Sequence, residues 1–186
     1  ETEIMKCDLF QVYGLTETTG AITIMMPDDH DPSKGKLRSC GKALDGVELK
    51  VIDEEGNDLE TGQIGEVISK SDLNMKGYWN KPEATKESIV DGWFYSGDAG
   101  FFDQEGYLFI HDRVTDMIVS GGENIYPAEV ENALMSHNEI LDAAVVGVPD
   151  DKWGESVKGF VVIGENSSLE EEDIISYSRT QIAAYK

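Results

Sequence analysis

The sequence is short of positive charge: it has 15 lysine and arginine residues against 37 acidic residues. The resulting formal net charge of -22 opposes non-specific binding to nucleic acid and to anionic lipid. A polyanionic ligand must therefore be held locally, by backbone N–H groups, a metal ion and a few placed cations.

Cysteine is also scarce. Cys7 and Cys40 stand far apart without a CxxC pair, which gives no support to a disulfide framework or a zinc site. No apolar run approaches the roughly 20 residues needed to cross a bilayer, and the first residues lack a signal-peptide pattern. The three histidines have no metal-ligand spacing and are assigned to surface or core roles. These absences favour a cytoplasmic protein with no nucleic-acid partner and no transmembrane segment.

The middle of the chain, from about residue 35 to residue 110, consists of short apolar runs separated by turn residues. Acidic segments that end in glycine, at residues 53–56 and 103–106, separate pairs of these runs. Glycine supplies the positive φ that a tight hairpin needs. We therefore predict an antiparallel sheet or a small barrel. Met25 and Met26, which precede this region, fit strand core better than an acyl-chain lining, and both interpretations stay open.

After Arg113 the pattern changes to α/β. Pro127 suits the first turn of a helix, strands are predicted at 140–148 and 157–163, and Ser168 with Glu171 forms a capping-box pattern for a second helix. The inner face of the first helix is predicted to hold Val130, Ala133, Leu134 and His137, and that of the second Ile174, Ile175, Ser178 and Ile182. The predicted fold class is α+β, with a β-rich, barrel-like part followed by a small α/β domain that has a short sheet and two helices.

Three segments carry chemistry. Residues 11–20 read QVYGLTETTG, a turn rich in hydroxyl groups with one carboxylate beside an aromatic ring. Residues 95–98 place Asp98 directly after Gly97, and residues 112–127 read DRVTDMIVSGGENIYP. Each segment alone also fits an ordinary structural role. In order, these roles are a capped turn, a turn-forming aspartate, and a surface arginine with a plain hairpin.

Taken together, the three segments closely resemble the adenylate-forming superfamily of AMP-forming acyl-CoA synthetases, adenylation domains and luciferases. The resemblance covers essentially the whole chain. It implies three parts: residues 1–34 from the end of the large α/β subdomain, residues 35–113 from its β-rich subdomain, and residues 114–186 from the small C-terminal domain. It further implies an internal piece of a longer enzyme, in which Lys186 matches a non-catalytic lysine and the lysine of the adenylation transition state lies beyond it.

The resemblance also implies roles for the residues of a nucleotide site. Tyr13 would lie against adenine beside Gly14, and the hydroxyl of Thr16 would bond the α-phosphate. Glu17 would ligate Mg²⁺, which neutralises charge that develops on the phosphate. Asp98 would accept hydrogen bonds from both ribose hydroxyls, and Arg113 would contact ribose and phosphate with its planar fork.

Two further features of the small domain follow from the resemblance. Thr115 occupies the hinge position, where most relatives carry Asp or Lys, and a β-branched residue has fewer backbone conformations available there. The loop formed by Ser120, Gly121, Gly122 and Glu123 would line the tunnel for the pantetheine arm of CoA, since glycines allow close backbone approach to a narrow ligand.

The implied activity uses ATP with Mg²⁺ to convert a carboxylic acid to an acyl-adenylate, and CoA then forms the thioester and releases AMP. A medium- or long-chain fatty acid is the expected substrate, because residues 120–127 are similar to those of fatty-acyl ligases. Peripheral membrane contact through other parts of the parent protein is compatible with this expectation. Two alternatives stay open: a peptide-synthetase adenylation domain, whose acceptor thiol belongs to a carrier protein, and a non-catalytic nucleotide-binding module.

Overall fold

The structure is a computed structural model that describes residues 7–165 and 167–185, so Lys186 lies outside the described residues. The chain divides into two compact units, Glu1–Val114 and Thr115–Lys186. The finer division of the first unit at residue 34 stays a prediction. No helix in the described ranges is long and apolar enough to span a membrane.

The first unit begins with a small antiparallel sheet in the order β1-β2-β3. Its strands are β1 (Gln11–Leu15), β2 (Gly20–Met25) and β3 (Lys42–Ala43). Ile22 and Met25 on β2 are fully buried, whereas Met26 is 48% exposed. The predicted core role therefore applies to Met25, and Met26 lies at the surface just after the strand.

The second sheet of this unit has the order β4-β5-β7-β6, with β8 paired to β7, and every pairing is antiparallel. Its strands are β4 (Glu48–Ile52), β5 (Gly65–Lys70), β6 (Ile89–Val90), β7 (Trp93–Phe102) and β8 (Leu108–Arg113). Val51, Val67 and Leu108 form its buried cluster. The prediction of a β-rich antiparallel region is confirmed, and one short helix within it, α1 (Pro82–Ser88), was not predicted.

Both acidic turns form as the sequence predicts. The N–H of Gly56 donates to the carbonyl of Asp53 at 3.1 Å, and the N–H of Gly106 donates to that of Asp103 at 3.0 Å. Both glycines have φ near +80°, at 85° and 82°, a region that other residues enter at a cost. The carboxylate of Asp53 also accepts the N–H of Asn57 at 2.8 Å, so the turn uses this side chain internally.

The second unit packs two helices on a four-stranded sheet of order β10-β9-β12-β11. Its elements are β9 (Ile118–Ser120), β10 (Glu123–Ile125), α2 (Pro127–Met135), β11 (Ile140–Asp150), β12 (Gly154–Ile163) and α3 (Glu171–Gln181). The core combines Ile118 and Ile125 from the first hairpin with Val130 and Leu134 from α2. The short sheet and two helices agree with the predicted fold class.

Two details of the helices differ from the predictions. His137 lies beyond the end of α2, whose C-cap is Ser136; the hydroxyl of Ser136 donates to the carbonyl of Ala133 at 2.6 Å. Its ring instead meets that of Tyr177 edge-on, with centroids 4.7 Å apart. The N-cap of α3 is Glu170.

The capping pattern at Ser168 is therefore wrong by two residues. The N–H of Glu170 donates to the carboxylate of Asp173 at 3.1 Å, so the capping box forms between these two residues. On the predicted inner face, Ile174 and Ile182 pack on the core, but Ile175 is 41% exposed. Ile182 follows the last helical residue.

Candidate functional site

The turn between β1 and β2 contains most of the first motif. It is a single 3-10 turn, Thr16–Thr18, followed by Thr19 at a left-handed φ of 58°. Thr18 is fully buried, and its hydroxyl accepts the N–H of Leu15 at 2.9 Å and lies 2.7 Å from the carbonyl oxygen of Gly20. Thr18 therefore holds the turn together, while Thr16 is exposed and Glu17 is half-buried.

Gly14 allows the two paired strands of this hairpin to approach each other closely. A β-carbon added there would lie 1.9 Å from the carbonyl oxygen of Gly20, and the register of the two strands shifts between Tyr13 and Gly14. A side chain at this position would push the strands apart, because an approach this short requires the backbone to move. The glycine thus serves the shape of the turn.

Tyr13, Asp98 and Arg113 form one hydrogen-bonded cluster. The hydroxyl of Tyr13 donates to Oδ2 of Asp98 at 2.6 Å, and Nη1 of Arg113 lies 3.0 Å from Oδ1. Asp98 is 7% exposed, and the arginine side chain is 54% exposed. Burial, together with the hydrogen bond to Asp98 and its charge, raises the pKa of Tyr13 far above its usual value, so this hydroxyl stays a donor.

Strand pairing positions two members of this cluster. Asp98 on β7 stands opposite Arg113 on β8 in the antiparallel register. Gly97 has a φ of 71°, and its N–H donates to Oε1 of Glu66 at 3.0 Å. The N–H of Asp98 donates to the hydroxyl of Ser96 at 3.0 Å. Burial, and then the negative charge of Asp98, raise the pKa of the Glu66 carboxyl.

Glu17 accepts hydrogen bonds from a loop that lies more than fifty residues away in sequence. The hydroxyl of Tyr78 donates to Oε1 of Glu17 at 2.9 Å, and the N–H of Met75 donates to the Glu17 carbonyl at 2.6 Å. The hydroxyl of Thr19 donates to the carbonyl of Leu73 at 2.7 Å. The sequence analysis did not single out Tyr78, since a tyrosine between glycine and tryptophan carries no signal for a contact this distant.

Glu17 and Arg113 both line a polar cavity of about 360 Å³. It is also lined by Leu15, Glu66, Tyr78, Glu87, Ser88, Phe94, Tyr95, Ser96 and Gly97. Asp98 adjoins the cavity through Arg113, which lines the cavity and pairs with the aspartate. The cluster therefore offers carboxylate acceptors and a guanidinium donor around one opening, a set that suits a phosphorylated ligand with hydroxyl groups.

The donor set fits Mg²⁺ when a phosphorylated ligand is present. No group of three or more potential metal-ligating side chains occurs in the described part of the chain. Mg²⁺ commonly uses only one or two carboxylates and takes its other ligands from substrate phosphates and water. Glu17 can supply that one carboxylate.

The loop between β9 and β10 carries the second set of predicted site residues. Ser120 and Glu123 pair across a turn formed by Gly121 and Gly122, at φ values of 61° and 87°. The N–H of Gly121 donates to the carbonyl of Trp153 at 2.8 Å. A β-carbon at Gly121 would lie 2.8 Å from the indole ring of Trp153.

Glu155 supports the same loop: its Oε2 accepts the N–H of Val119 at 2.8 Å. No local sequence pattern connects Glu155 to the glycine turn. The predicted hinge residue, Thr115, is exposed and is the first residue of the second unit. Its hydroxyl lies 3.2 Å from the carboxylate of Asp116.

Comparison with known proteins places this arrangement in a family. The AMP-binding enzyme profile matches residues 2–79, and the AMP-binding enzyme C-terminal domain profile matches residues 129–186. The chain therefore belongs to the AMP-binding enzyme family, the adenylate-forming superfamily that the three motifs indicate.

Among curated proteins, the chain is 42% identical over 183 residues to a fatty acid–[acyl-carrier-protein] ligase of Streptomyces coeruleorubidus, covering 98% of this chain and 35% of the relative. It is 41% identical over 179 residues to a long-chain-fatty-acid–CoA ligase of Mycobacterium tuberculosis, covering 96% and 35% respectively. The chain thus spans about a third of the length of these relatives.

Among solved structures, the o-succinylbenzoate CoA synthetase of Bacillus subtilis, in complex with its acyl-adenylate intermediate, is similar. The TM-score is 0.87 at 37% identity, over 100% of this chain and 37% of that one. The same synthetase has also been solved with ATP and a magnesium ion, with a TM-score of 0.85 over 100% of this chain and 37% of that one, at 36% identity.

Proposed function

We propose that the protein containing this chain is an AMP-forming acid–thiol ligase of the acyl-CoA synthetase type. A carboxylate oxygen of the acid attacks the α-phosphorus of ATP, and the bond to pyrophosphate breaks to leave an acyl-adenylate. A thiolate then attacks the acyl carbonyl, and AMP leaves. The observation that carries the proposal is the linked cluster of Tyr13, Asp98 and Arg113 beside a cavity that Glu17 also lines.

Asp98 has the capacity to bind ribose without losing its present partners. A carboxylate offers about four lone-pair sites, and the contacts with Tyr13 and Arg113 occupy two of them. The remaining sites can accept the two vicinal hydroxyls of the nucleotide. The partners on either side hold the carboxylate in one orientation, so it does not need to reorganise on binding.

The other groups of the site act on the base and the phosphates. The ring of Tyr13, held by its hydroxyl, supports the adenine, and the exposed hydroxyl of Thr16 donates to the α-phosphate. Arg113 places its guanidinium next to ribose and phosphate oxygens, where a planar fork binds better than an ammonium group. Mg²⁺, bound by Glu17 and phosphate oxygens, would neutralise charge on the α-phosphate as pyrophosphate departs.

The second half-reaction involves the other unit. The Ser120–Glu123 loop would line the path of the thiol arm, and its glycine turn leaves room for a narrow chain close to the backbone. Thr115 would be the pivot at which the two units reorient between half-reactions. The CoA role of the loop and the hinge role of Thr115 are parts of this proposal.

The proposed acid is a medium- or long-chain fatty acid, supported by the names of two relatives of about 40% identity. CoA is the proposed thiol. A carrier-protein thiol is the second candidate, because one of those relatives is a fatty acid–[acyl-carrier-protein] ligase. The proposed location is the cytoplasm.

The test is ATP–pyrophosphate exchange by the full-length protein with fatty acids, aromatic acids and amino acids, followed by thioester formation with CoA or with an acyl carrier protein. We expect exchange with fatty acids and release of AMP once CoA is added. Exchange with amino acids alone would indicate a peptide-synthetase adenylation domain. AMP binding without exchange for any acid would indicate a non-catalytic nucleotide-binding module.

A further inference from the structure

We propose that Tyr78 is a positioning residue that orients the carboxylate of Glu17 for Mg²⁺. The hydroxyl of Tyr78 donates to Oε1 of Glu17 at 2.9 Å, and both side chains line the same cavity. This inference rests on the proposed function, because it assigns a group that acts through the proposed metal ligand.

Residues 73–78, the segment that carries Tyr78, form three hydrogen bonds with the turn between β1 and β2. In addition to the tyrosine hydroxyl, the N–H of Met75 donates to the carbonyl of Glu17, and the carbonyl of Leu73 accepts the hydroxyl of Thr19. Two of the three contacts are therefore made to Glu17 itself, one to its backbone and one to its carboxylate. Together they fix both the position and the rotation of this side chain.

Other hydrogen bonds attach the same segment to α1 and β5, and these bonds hold Tyr78 in a fixed position relative to Glu17. The N–H of Tyr78 donates to the hydroxyl of Thr85 on α1 at 2.9 Å, and that hydroxyl donates to the carbonyl of Lys81 at 2.9 Å. Asn74 donates its amide to the carbonyl of Ser69 at 2.9 Å, at the end of β5. None of these anchors uses the tyrosine hydroxyl, so removing that hydroxyl leaves them in place.

The contact leaves Glu17 able to bind a cation. A carboxylate has about four lone-pair sites, and the single bond from Tyr78 occupies one of them. A group that donates to a metal-ligating carboxylate fixes its plane and usually matters for metal affinity.

The test compares ATP binding with and without metal in the full-length protein. Isothermal titration gives the dissociation constant for ATP in EDTA and in saturating Mg²⁺, and the ratio of the two measures the contribution of the metal. We expect Tyr78→Phe to lower this ratio by about tenfold, the lower end of the loss seen when a group supporting a metal ligand is removed. The constant in EDTA should stay within about twofold of the wild-type value.

Two variants complete the design. Tyr107→Phe is the matched control, because it also removes a tyrosine hydroxyl that interacts with a carboxylate, that of Asp29, but neither residue lines the cavity. It should leave the ratio unchanged. Glu17→Gln should bring the ratio close to one.

Each outcome is decisive. If Tyr78→Phe keeps the wild-type ratio while Glu17→Gln loses it, the positioning role is wrong and the proposed function stands. An equal loss of affinity with and without metal would show a general structural role and also reject the proposal. If Mg²⁺ does not increase the ATP affinity of the wild-type protein, both the proposed function and this inference are rejected.

Discussion

The hydroxyl of Tyr13 donates a 2.6 Å hydrogen bond to Oδ2 of Asp98, which lies 85 residues later in the sequence. This contact joins the small first sheet of the unit to β7 of the second sheet. It also means that the tyrosine hydroxyl is already engaged. In the proposed function, Tyr13 therefore acts on the nucleotide through its ring, and its hydroxyl acts by orienting Asp98.

Replacing Asp98 should weaken nucleotide binding much more than binding of the acid. In Asp98→Ala, the two proposed ribose hydrogen bonds to a charged acceptor are lost, at a cost on the order of 1.5–3 kcal/mol, or about 10- to 150-fold in the dissociation constant. Titration of AMP into the full-length protein measures this loss directly. The KM for the acid should stay within about twofold.

A suitable control for that variant is Asp58→Ala. Asp58 also pairs with a cation, Lys50 at 2.8 Å, but its side chain is 62% exposed and lies outside the cavity. We expect little change in AMP affinity, since exposed ion pairs contribute about 0–1 kcal/mol and only to stability. Unchanged AMP affinity in Asp98→Ala would remove Asp98 from the nucleotide site.

Local signals in the sequence predicted the parts of the fold that depend on neighbouring residues. The turns at Gly56 and Gly106 form as expected because glycine settles their conformation within four residues. The cap of α3 was misplaced by two residues, because the N-cap forms through the reciprocal contacts of Glu170 and Asp173 and not at Ser168.

The supporting contacts of the site lay beyond such local reasoning. Tyr78 meets Glu17 across 61 residues, and Gly97 meets Glu66 across 31. These pairs exist only because strand register and loop path bring them together, and no short pattern encodes that. The motif resemblance supplied the residues expected to contact the ligand, whereas the structure supplied the residues that hold them.

The raised pKa of Glu66 predicts that this residue lowers stability at neutral pH. Its ordinary value is 4.5, and burial, followed by the charge of Asp98, raises the pKa in the folded state. The contribution of this carboxyl group to folding stability is fully present below its pKa in the unfolded state. It is lost as the pH rises through its pKa in the folded state. Glu66→Gln keeps an oxygen that can accept the N–H of Gly97 but cannot ionise.

The variant should therefore match the wild-type free energy of unfolding near pH 4 and exceed it at pH 7, as measured by urea denaturation across this range. Glu54→Gln, in the exposed turn after β4, is a control that removes a carboxylate without burial. Parallel stability curves for wild type and Glu66→Gln would contradict the prediction.

The glycine turn between β9 and β10 allows a comparison of two adjacent substitutions. Gly121→Ala and Gly122→Ala both place alanine at a positive φ, at a cost of roughly 1–2 kcal/mol each. Only Gly121→Ala also brings a methyl group to 2.8 Å from the ring of Trp153, because nothing lies within 4 Å of a β-carbon at Gly122. Gly121→Ala should therefore destabilise the loop more.

In the full-length protein, we expect Gly121→Ala to slow thioester formation from added acyl-adenylate and CoA more than Gly122→Ala does, while both leave pyrophosphate release in a single turnover largely intact. Stopped reactions analysed for acyl-CoA and for pyrophosphate separate the two steps. A decrease in adenylate formation as large as that in thioester formation would argue against a role confined to the second half-reaction.

Thr115 provides the sharpest test of the proposed reorientation between half-reactions, because it stands at the boundary of the two units. Thr115→Pro fixes φ near about -65°, so we expect it to hold the protein in its adenylate-forming arrangement. Pyrophosphate release in a single turnover should be largely spared, and thioester formation should fall by at least about tenfold, a barrier change of roughly 1.4 kcal/mol. Thr115→Ala removes only the hydroxyl contact with Asp116 and should affect neither step. Equal losses in both steps would mean general damage from proline, and no loss in either would show that Thr115 is not the pivot.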